Sequence, residues 1–319
     1  MNAGGFDLAC PRCGGALESR GEHAAYCLFD ELAFIQEHGV WRFLLPERHA
    51  HYEQFIREYE TVRKAEGRAS RDAAFYRALP YEDLTGRHSP AWRVRARSFD
   101  TFVAKVLAPL EQGDAVLKIV DLGAGNGWLS HRLVERGHQL AAVDLLTNGW
   151  DGLGAHKYYE TPFLCLQAEY DRLPLRPGQC DLVVFNASFH YSESFSATLA
   201  EAQRMLAPGG GLVIIDTPIY HDAASGARMV KERQEAFTRQ FGFPSNALAS
   251  ENYLTYARLR QLGSEFDLRW RLLEPAFGLS WKLGRLVNRL RARREPAKLP
   301  VIVGRRSLDN RRYLRPNGS

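Results

Sequence analysis

A glycine-rich stretch at residues 121–128, DLGAGNGW, carries the clearest chemical signal in the chain. Apolar residues precede it and a helix-like run follows it. A buried strand should therefore end in a loop that opens a helix, and glycines let such a loop approach a ligand closely. A dinucleotide-binding loop would place its last glycine at position 128, where this chain has Trp128. Asp121, at the strand end, would repel a pyrophosphate but suits a cationic ligand.

Further polar residues stand at the ends of the other predicted strands. A second apolar run ends at Asp144, about twenty residues after the loop, which is the spacing expected of a carboxylate that binds ribose hydroxyls. The third strand leads into Glu169, and the fourth ends at Asn186. A fifth strand, residues 212–216, follows a Leu-Ala-Pro-Gly-Gly turn. Open α/β sheets bind ligands at the carboxyl ends of their strands, so these residues should converge at one edge.

These motifs, in this order, resemble those of class I S-adenosylmethionine-dependent methyltransferases, over about residues 90–305. Ala168 and Glu169 depart from the Gly-Asp of the family pattern. The resemblance implies an α/β fold with a Rossmann-like seven-stranded sheet, its last strand antiparallel. It also implies S-adenosylmethionine, a cation, as the cofactor. The implied cofactor-binding residues are Asp121, Gly123, Ala124, Gly125, Asn126, Gly127, Asp144, Leu145, Glu169, Tyr170 and Asn186.

Catalytic candidates follow strands four and five. The sulfonium makes the methyl group electrophilic, so the enzyme has to place a nucleophile in line with it and exclude water. A general base is needed only if the nucleophile holds its proton at neutral pH. We expect catalytic roles for His190, Tyr220 and His221, with His190 as the best base because imidazole titrates near neutrality. Substrate positioning, or a plain hydrogen bond in the loop, is the alternative for His190.

The N-terminal segment predicts a metal site. Cys10 and Cys13 have the spacing of a zinc knuckle, which supplies half of a tetrahedral site, and Cys27 is a third thiolate. The segment resembles the zinc ribbon of bacterial large-subunit rRNA guanine methyltransferases, whose ligands are Cys, Cys, Cys and His. That resemblance puts Glu31 in the place of the His. One structural zinc is therefore expected on Cys10, Cys13, Cys27 and Glu31, with Asp30 or His23 as alternative ligands and a metal-free ribbon as the alternative state.

The chain divides into three predicted parts. Residues 1–46 form the ribbon-like segment, residues 47–112 a helical connector, and residues 113–319 the methyltransferase core. The core contains a basic helical insertion at about residues 279–296, with one apolar and one cationic face. We interpret it as a helix packed on the sheet edge. Contact with an anionic membrane surface or with nucleic acid is the alternative.

The connector is rich in aromatic residues. The stripe at residues 51–59 has helical spacing and is interpreted as core or as a docking surface between domains. A second helix should begin at Ser89-Pro90 and run to about residue 110. Leading helices of the family cover the cofactor edge, so the resemblance implies that this part reaches the pocket through Tyr76, Tyr81, His88 and Trp92.

Composition limits the remaining possibilities. The chain has 319 residues, a net charge of +5 and no apolar run of membrane-spanning length, so a cytoplasmic protein without a transmembrane helix is expected. Five cysteines, an odd number, argue against a disulfide framework. We expect methyl transfer to a small-molecule or lipid-like acceptor. An rRNA base methyltransferase, or a binding protein whose ribbon docks a partner, are the alternatives. The sequence leaves the oligomeric state open.

Overall fold

The structure, a computed structural model, describes residues 1–68, 70–278 and 294–306. Short antiparallel strands form the N-terminal part, since small and β-branched or aromatic residues alternate there between glycine turns. They are β1 (Asn2–Ala3), β2 (Phe6–Asp7), β3 (Glu18–Ser19), β4 (Ala24–Cys27), β5 (Leu32–Glu37) and β6 (Val40–Arg42). Phe34 and Phe43 pack with ring centroids 4.8 Å apart, which gives this small unit an aromatic core.

The connector is helical, as the sequence predicts. Its helices are α1 (Pro46–Ala65), α2 (Ala73–Ala78), α3 (Ser89–Phe102) and α4 (Ala108–Leu110), with a π-helical turn at Val103–Leu107. Prolines occupy the first turns of α1 and α3. Backbone N–H groups in the first turn of a helix have no intrahelical acceptor, so a proline there costs no hydrogen bond. Asp72 caps α2 by accepting a hydrogen bond from the backbone N–H of Ala74, 2.9 Å away.

Strands and helices alternate through the rest of the described chain. The strands are β7 (Lys118–Leu122), β8 (Gln139–Asp144), β9 (Leu164–Gln167), β10 (Cys180–Asn186), β11 (Leu206–Ile215), β12 (Ile219–Tyr220), β13 (Leu254–Thr255), β14 (Leu268–Leu273) and β15 (Val301–Arg306). The helices are α5 (Trp128–Val134), α6 (Phe195–Met205), α7 (Ala223–Phe241) and α8 (Tyr256–Glu265), with 3₁₀ turns at Leu153–Tyr158 and Phe189–Tyr191.

The predicted seven-stranded sheet is confirmed. Its order is β9-β8-β7-β10-β11-β15-β14. Strand β15 pairs antiparallel with both β11 and β14, whereas the pairs formed by β7 through β11 are parallel. Helices cover the faces of the sheet, which explains why its strands are nearly continuous apolar runs. The sheet reverses its strand order beside β7, so the glycine loop after β7 lies where such folds bind ligands.

The N-terminal strands extend this sheet. Strand β6 pairs in parallel with β9, with Val40 opposite Cys165 and Trp41 opposite Leu166. The order then continues through β5, β4 and β3, giving eleven strands. The sequence treats residues 1–46 as a separate unit, whereas the structure joins them to the core through backbone hydrogen bonds. Burial of Val40 and Trp41 at the junction covers the otherwise open edge of β9.

The basic insertion expected at about residues 279–296 lies mostly outside the described residues. Its described end includes Arg294, whose Nε donates to Oε2 of Glu232 on α7 at 2.8 Å. Within the described part of the chain, no helix combines the length and the apolar character needed to cross a membrane.

Candidate active site

A cleft of about 840 Å³ lies at the carboxyl ends of the central strands. Its charged lining residues in the described chain are all acids: Asp144, Glu169, Asp171 and Glu193. We call it the acidic cleft. Six of the expected cofactor residues line it, namely Gly123, Gly125, Asp144, Leu145, Glu169 and Tyr170. The other five do not contribute to its lining: Asp121, Ala124, Asn126, Gly127 and Asn186.

The glycine loop forms the floor of the acidic cleft. Gly123 has a φ of 76°, and a Cβ added there would lie 2.3 Å from Cβ of Ser188 and 2.5 Å from Oη of Tyr170. Both the backbone angle and the available space therefore require glycine. The backbone N–H of Gly125 donates to Oδ2 of Asp144 at 2.8 Å, which ties the loop to the end of β8.

Asp144 is buried at the end of β8 and keeps acceptor capacity for a ligand. Its Oδ1 accepts from the N–H of Leu146 at 2.8 Å, in addition to the bond from Gly125 to Oδ2. A carboxylate has about four lone-pair sites, so two remain for the hydroxyls of a ribose. Burial raises the pKa of Asp144 to about 6.

Asp121 lies behind the glycine loop. It is fully buried, and its Oδ2 accepts from the hydroxyl of Ser130 at 2.9 Å. Its Oδ1 has no hydrogen-bond partner within residues 1–68, 70–278 and 294–306. Burial, together with repulsion from Asp144, raises the pKa of Asp121 to about 7. Two neighbouring buried carboxyl groups with raised pKa values suit a cationic ligand, which favours their charged forms.

Glu169 connects the cleft to helix α1. Its Oε2 accepts from Nε of Arg48 and from the hydroxyl of Tyr52, both at 2.8 Å. The carboxylate is 3% exposed, so these bonds supply the charge compensation that a buried carboxylate needs. The family resemblance implies that Glu169 binds the cofactor. Because one of its oxygens is used by α1, Oε1 is the atom left for that role, which stays a prediction.

Helix α1 covers the acidic cleft with an aromatic stripe. Tyr52, Phe55 and Tyr59 line it from one face of the helix. The sequence expectation that Tyr76, Tyr81, His88 and Trp92 reach the pocket is wrong, since none of these four lines it. They belong to α2, α3 and their connecting loop, which pack elsewhere: the Trp92 ring, for example, meets Trp128 edge-on in the core at 6.0 Å. Helical spacing of aromatics predicts an apolar face but not which surface that face covers.

The three expected catalytic residues do not line the acidic cleft. His190 is buried beside Thr217, with 3.4 Å between Nδ1 and Oγ1, and burial lowers its pKa to about 3. Tyr220 packs edge-on against Tyr253, with ring centroids 5.7 Å apart. His221 is exposed and stacks on Tyr256 at 4.1 Å. His190 lies in the 3₁₀ turn after β10, Tyr220 ends β12 and His221 follows it, so their side chains pack outside the lining of the cleft.

Other residues of the same loop reach the cleft instead. Ser188 and Tyr191, which follow β10, line it together with the run from Ser192 to Ser194. Ala187 has a φ of 55°, an unusual angle for a residue with a side chain, and it marks the sharp turn that directs this loop. The sequence could predict that residues after the fourth core strand reach the site. It could not predict which side chains of this turn face the ligand, because that depends on the backbone path of the turn.

The three N-terminal cysteines converge, as the zinc-ribbon hypothesis expects. Ligand atoms of Cys10, Cys13, Cys27 and Asp30 all lie within 4.8 Å of one another. Sγ of Cys13 and Sγ of Cys27 are 3.6 Å apart, close to the separation of two thiolates on a tetrahedral zinc. The backbone N–H groups of Gly15 and Asp30 each donate to a thiol sulfur at 3.4 Å, which orients the ligands.

The fourth position differs from the one expected. Asp30 places Oδ2 3.1 Å from Sγ of Cys10 and 3.5 Å from Sγ of Cys27. Glu31 is exposed, with a φ of 53°, and is absent from the cluster of described residues. His23 is bonded through Nδ1 to Gln36 at 2.8 Å instead. The left-handed turn at Glu31 carries its side chain outward, so the candidate ligand set becomes Cys10, Cys13, Cys27 and Asp30.

Comparisons with known proteins agree with this geometry. Residues 120–214 match the family model described as a methyltransferase domain. A malonyl-[acyl-carrier protein] O-methyltransferase of Hahella chejuensis is 32% identical over 113 residues, which cover 35% of this chain and 40% of that protein. An uncharacterized methyltransferase of Mycobacterium bovis is 37% identical over 101 residues, covering 32% of this chain and 40% of that protein. The chain thus spans less than half the length of these curated relatives.

Solved structures with low identity also align. The structure of 1,6-didemethyltoxoflavin-N1-methyltransferase of Burkholderia thailandensis, with bound 1,6-didemethyltoxoflavin and S-adenosylhomocysteine, gives a TM-score of 0.46 at 14% identity. It covers 91% of this chain and 99% of that chain. An S-adenosylmethionine-dependent methyltransferase of Mesorhizobium loti gives a TM-score of 0.45 at 19% identity, covering 60% of this chain and 92% of that chain.

Proposed function

We propose that this chain, whose residues 120–214 match a methyltransferase domain, is a class I S-adenosylmethionine-dependent methyltransferase that transfers a methyl group to a small-molecule or lipid-like acceptor. The observation that carries the proposal is the acidic cleft, where the glycine loop and Asp144 meet at the carboxyl ends of the strands. An acidic site at a loop too tight for any side chain suits a cationic cofactor with a ribose.

The residues present fit S-adenosylmethionine. Gly123 and Gly125 would let the backbone approach it, and Asp144 would accept from its ribose hydroxyls. When bound, the cofactor supplies an electrophilic methyl group on a sulfonium. The protein has to position the acceptor and exclude water, and the aromatic face of α1 at Tyr52, Phe55 and Tyr59 does the latter.

The lining of the acidic cleft contains no imidazole and no amine among the described residues. Direct proton removal by histidine or lysine therefore has no candidate there. An acceptor that is already ionised at neutral pH, such as a carboxylate, needs no base. The relatives named as malonyl-[acyl-carrier protein] O-methyltransferases support an oxygen acceptor on an acyl group. Acceptor positioning then becomes the main task of the protein.

Calorimetric titration with S-adenosylhomocysteine tests the cofactor site. The wild-type protein should bind it, and Gly123→Ala should reduce binding severely because the new Cβ would meet Ser188 and Tyr170. Gly86→Ala is the matched control, since Gly86 also has a positive φ, 68°, but has no neighbouring atom within 4 Å of the added Cβ. Equal affinity in both variants would contradict the placement of the cofactor.

We also propose that the ribbon holds one structural zinc on Cys10, Cys13, Cys27 and Asp30. The mutual approach of the four ligand atoms supports the proposal. Structural zinc stabilises the folded state because the site does not exist in the unfolded chain. This zinc site lies apart from the acidic cleft and has no part in the transfer step.

A further inference from the structure

A second cavity, of about 850 Å³, adjoins the acidic cleft. The two share four lining residues: Phe55, Tyr59, Tyr191 and Leu248. The charged lining of the second cavity in the described chain consists of four arginines and one acid, namely Arg63, Arg68, Arg95, Arg233 and Glu66. We call it the arginine cavity. Its charge is opposite to that of the acidic cleft.

Two of the four arginines are neutralised within the protein. Arg63 makes a bidentate pair with Asp151, in which Nη2 donates to Oδ1 at 2.9 Å and Nε donates to Oδ2. Nε of Arg68 donates to Oε2 of Glu66 at 2.6 Å. These two guanidinium groups line the cavity and add to its positive potential. Their N–H groups with the best hydrogen-bond geometry are already bonded to the carboxylates of Asp151 and Glu66.

The other two arginines keep unused donors. Arg95, on α3, forms no hydrogen bond and no ion pair within 4.0 Å with the described residues, and its guanidinium lies 5.0 Å from the Trp92 ring centroid. Arg233, on α7, donates through Nη2 to Asn252, but its Nε is buried without a partner among the described residues. A buried guanidinium N–H without a partner, such as that at Nε of Arg233, is costly, so it indicates a ligand that supplies an acceptor.

The electrostatic environment agrees with an anion site. Burial lowers the pKa of Arg95, and repulsion from Arg63 and Arg68 lowers it further, while Asp216 acts in the opposite direction. The neighbouring His190 also has a pKa lowered to about 3, by burial and then by Arg233 and Arg95. The local field is therefore positive, and His190 stays neutral and adds no charge of its own at neutral pH.

Aromatic rings line the boundary between the two cavities. The centroids of Tyr59 and Tyr191 lie 6.0 Å apart with their planes nearly perpendicular, and Phe55 lies 5.6 Å from Tyr59 and 6.4 Å from Tyr191. This boundary is apolar, apart from the two hydroxyl groups. It suits the uncharged part of a molecule that extends from one cavity to the other.

We propose that the arginine cavity binds the anionic group, a carboxylate or a phosphate, of the methyl acceptor, with Arg95 and Arg233 as its charged partners. The apolar part of the acceptor lies along Phe55, Tyr59 and Tyr191, and a second group of the same molecule, which receives the methyl group, faces the acidic cleft. Guanidinium groups suit both anions because their planar fork can donate two parallel hydrogen bonds. This inference rests on the proposed function and names the acceptor class for that site.

Calorimetry and ligand-observed NMR with three probes test the inference at low ionic strength. Phenylacetate and phenyl phosphate carry the two candidate anions, and phenylacetamide is the neutral control of similar shape. Both anions, or one of them, should bind at least about tenfold more tightly than the amide, the difference expected of charge-assisted hydrogen bonds. A preference between the anions then identifies the carboxylate or the phosphate as the natural group.

Variants locate the binding. Arg95→Gln and Arg233→Gln should each weaken anion binding about tenfold, and Arg233→Lys should weaken it less because it keeps the charge. Matched controls are Arg97→Gln on α3 and Arg239→Gln on α7, both exposed, which should leave it unchanged. Thermal unfolding verifies that each variant is folded. Equal binding of anion and amide, absence of anion binding, or anion binding indifferent to both cavity variants would each overturn the proposal.

The outcome can be separated from the proposed function by titrating S-adenosylhomocysteine into the same variants. Its affinity should change less than about twofold in Arg95→Gln, since Arg95 does not line the acidic cleft. Anion binding without cofactor binding would contradict the proposed methyl-transfer function but support the anion site. Cofactor binding without anion binding would support the proposed function but contradict the anion site.

Discussion

The acidic cleft and the arginine cavity share four lining residues but differ in how their charges are satisfied. In the cleft, Asp144 and Glu169 accept hydrogen bonds from the protein itself, and lone pairs remain for a ligand. In the cavity, Arg95 makes no hydrogen bond or ion pair with the described residues, and the Nε of Arg233 is buried without a partner among them. One aromatic boundary thus separates a site suited to a cation from a site suited to an anion. If both proposals hold, two ligands of opposite charge meet at Tyr59 and Tyr191.

The largest expected effect concerns Asp144. Asp144→Asn should weaken S-adenosylhomocysteine binding by about 2–3 kcal/mol, because the charge-assisted bonds to the ribose become ordinary ones and one of the two backbone N–H groups, of Gly125 or Leu146, loses its acceptor. Calorimetry measures it. Asp171→Asn is the control, since Asp171 lines the same cleft but is exposed. An equal loss in both variants would show that general negative charge, rather than the geometry of Asp144, determines binding.

A smaller effect is expected from pH. Burial raises the pKa of Asp144 to about 6, so the carboxyl becomes protonated as pH falls through that value, and the cofactor has to bind the ionised form. Affinity should therefore fall about tenfold between about pH 7 and about pH 5. For stability the sign is opposite: this raised pKa favours the folded state below the ordinary carboxyl pKa and loses that contribution as pH rises through about 6.

The Asp144→Asn variant is the control for the pH profile, because it removes the titrating group. Its cofactor affinity should vary less over the same range. A profile identical to that of the wild-type protein would assign the titration to another carboxyl group, with Asp121 as the candidate because its pKa is raised to about 7. Anion binding in the arginine cavity should change little over this range, since guanidinium groups do not titrate there.

The cover formed by α1 gives a third comparison. Tyr52→Phe removes a buried hydroxyl that donates to Glu169 at 2.8 Å, so stability should fall by about 1–3 kcal/mol, with a few-fold loss of cofactor affinity. Tyr81→Phe is the matched control, because the Tyr81 side chain is 54% exposed. Chemical denaturation and calorimetry measure the two quantities. If the Tyr52→Phe protein is destabilised but its cofactor affinity is unchanged, α1 stabilises the fold and does not contribute to cofactor binding.

The smallest effect on the cleft should come from the ribbon. Protein purified without chelator should contain one zinc per chain, and chelation should lower the unfolding temperature. Asp30→Ala should lose zinc affinity, whereas Glu31→Ala should not, because Glu31 points outward. Cofactor affinity should change little, because the Arg12–Glu47 link from the knuckle to α1 is solvent-exposed, and exposed pairs contribute about 0–1 kcal/mol. Metal analysis that finds no zinc would contradict the site.

The sequence predicted those features of the fold and the site that depend on short-range interactions along the chain. The seven core strands follow from apolar runs of the right length, and the glycine loop follows from a φ that only glycine adopts easily. Asp144 was predictable because its place at a strand end determines its distance from that loop. The N-terminal thiol cluster was predictable from the Cys10–Cys13 spacing, since a knuckle is a local turn.

Tertiary structure alone decided which side chains face the ligands. The stripe with Tyr52, Phe55 and Tyr59 has the spacing of any buried helix face, and its place over the cleft depends on how α1 docks. The exclusion of His190 depends on the path of one short turn, and the choice of Asp30 over Glu31 depends on one backbone angle. The arginine cavity joins α1, α3 and α7, which are far apart in sequence. Residue type and local spacing follow from short-range sterics, whereas convergence of distant side chains follows from packing of the whole chain.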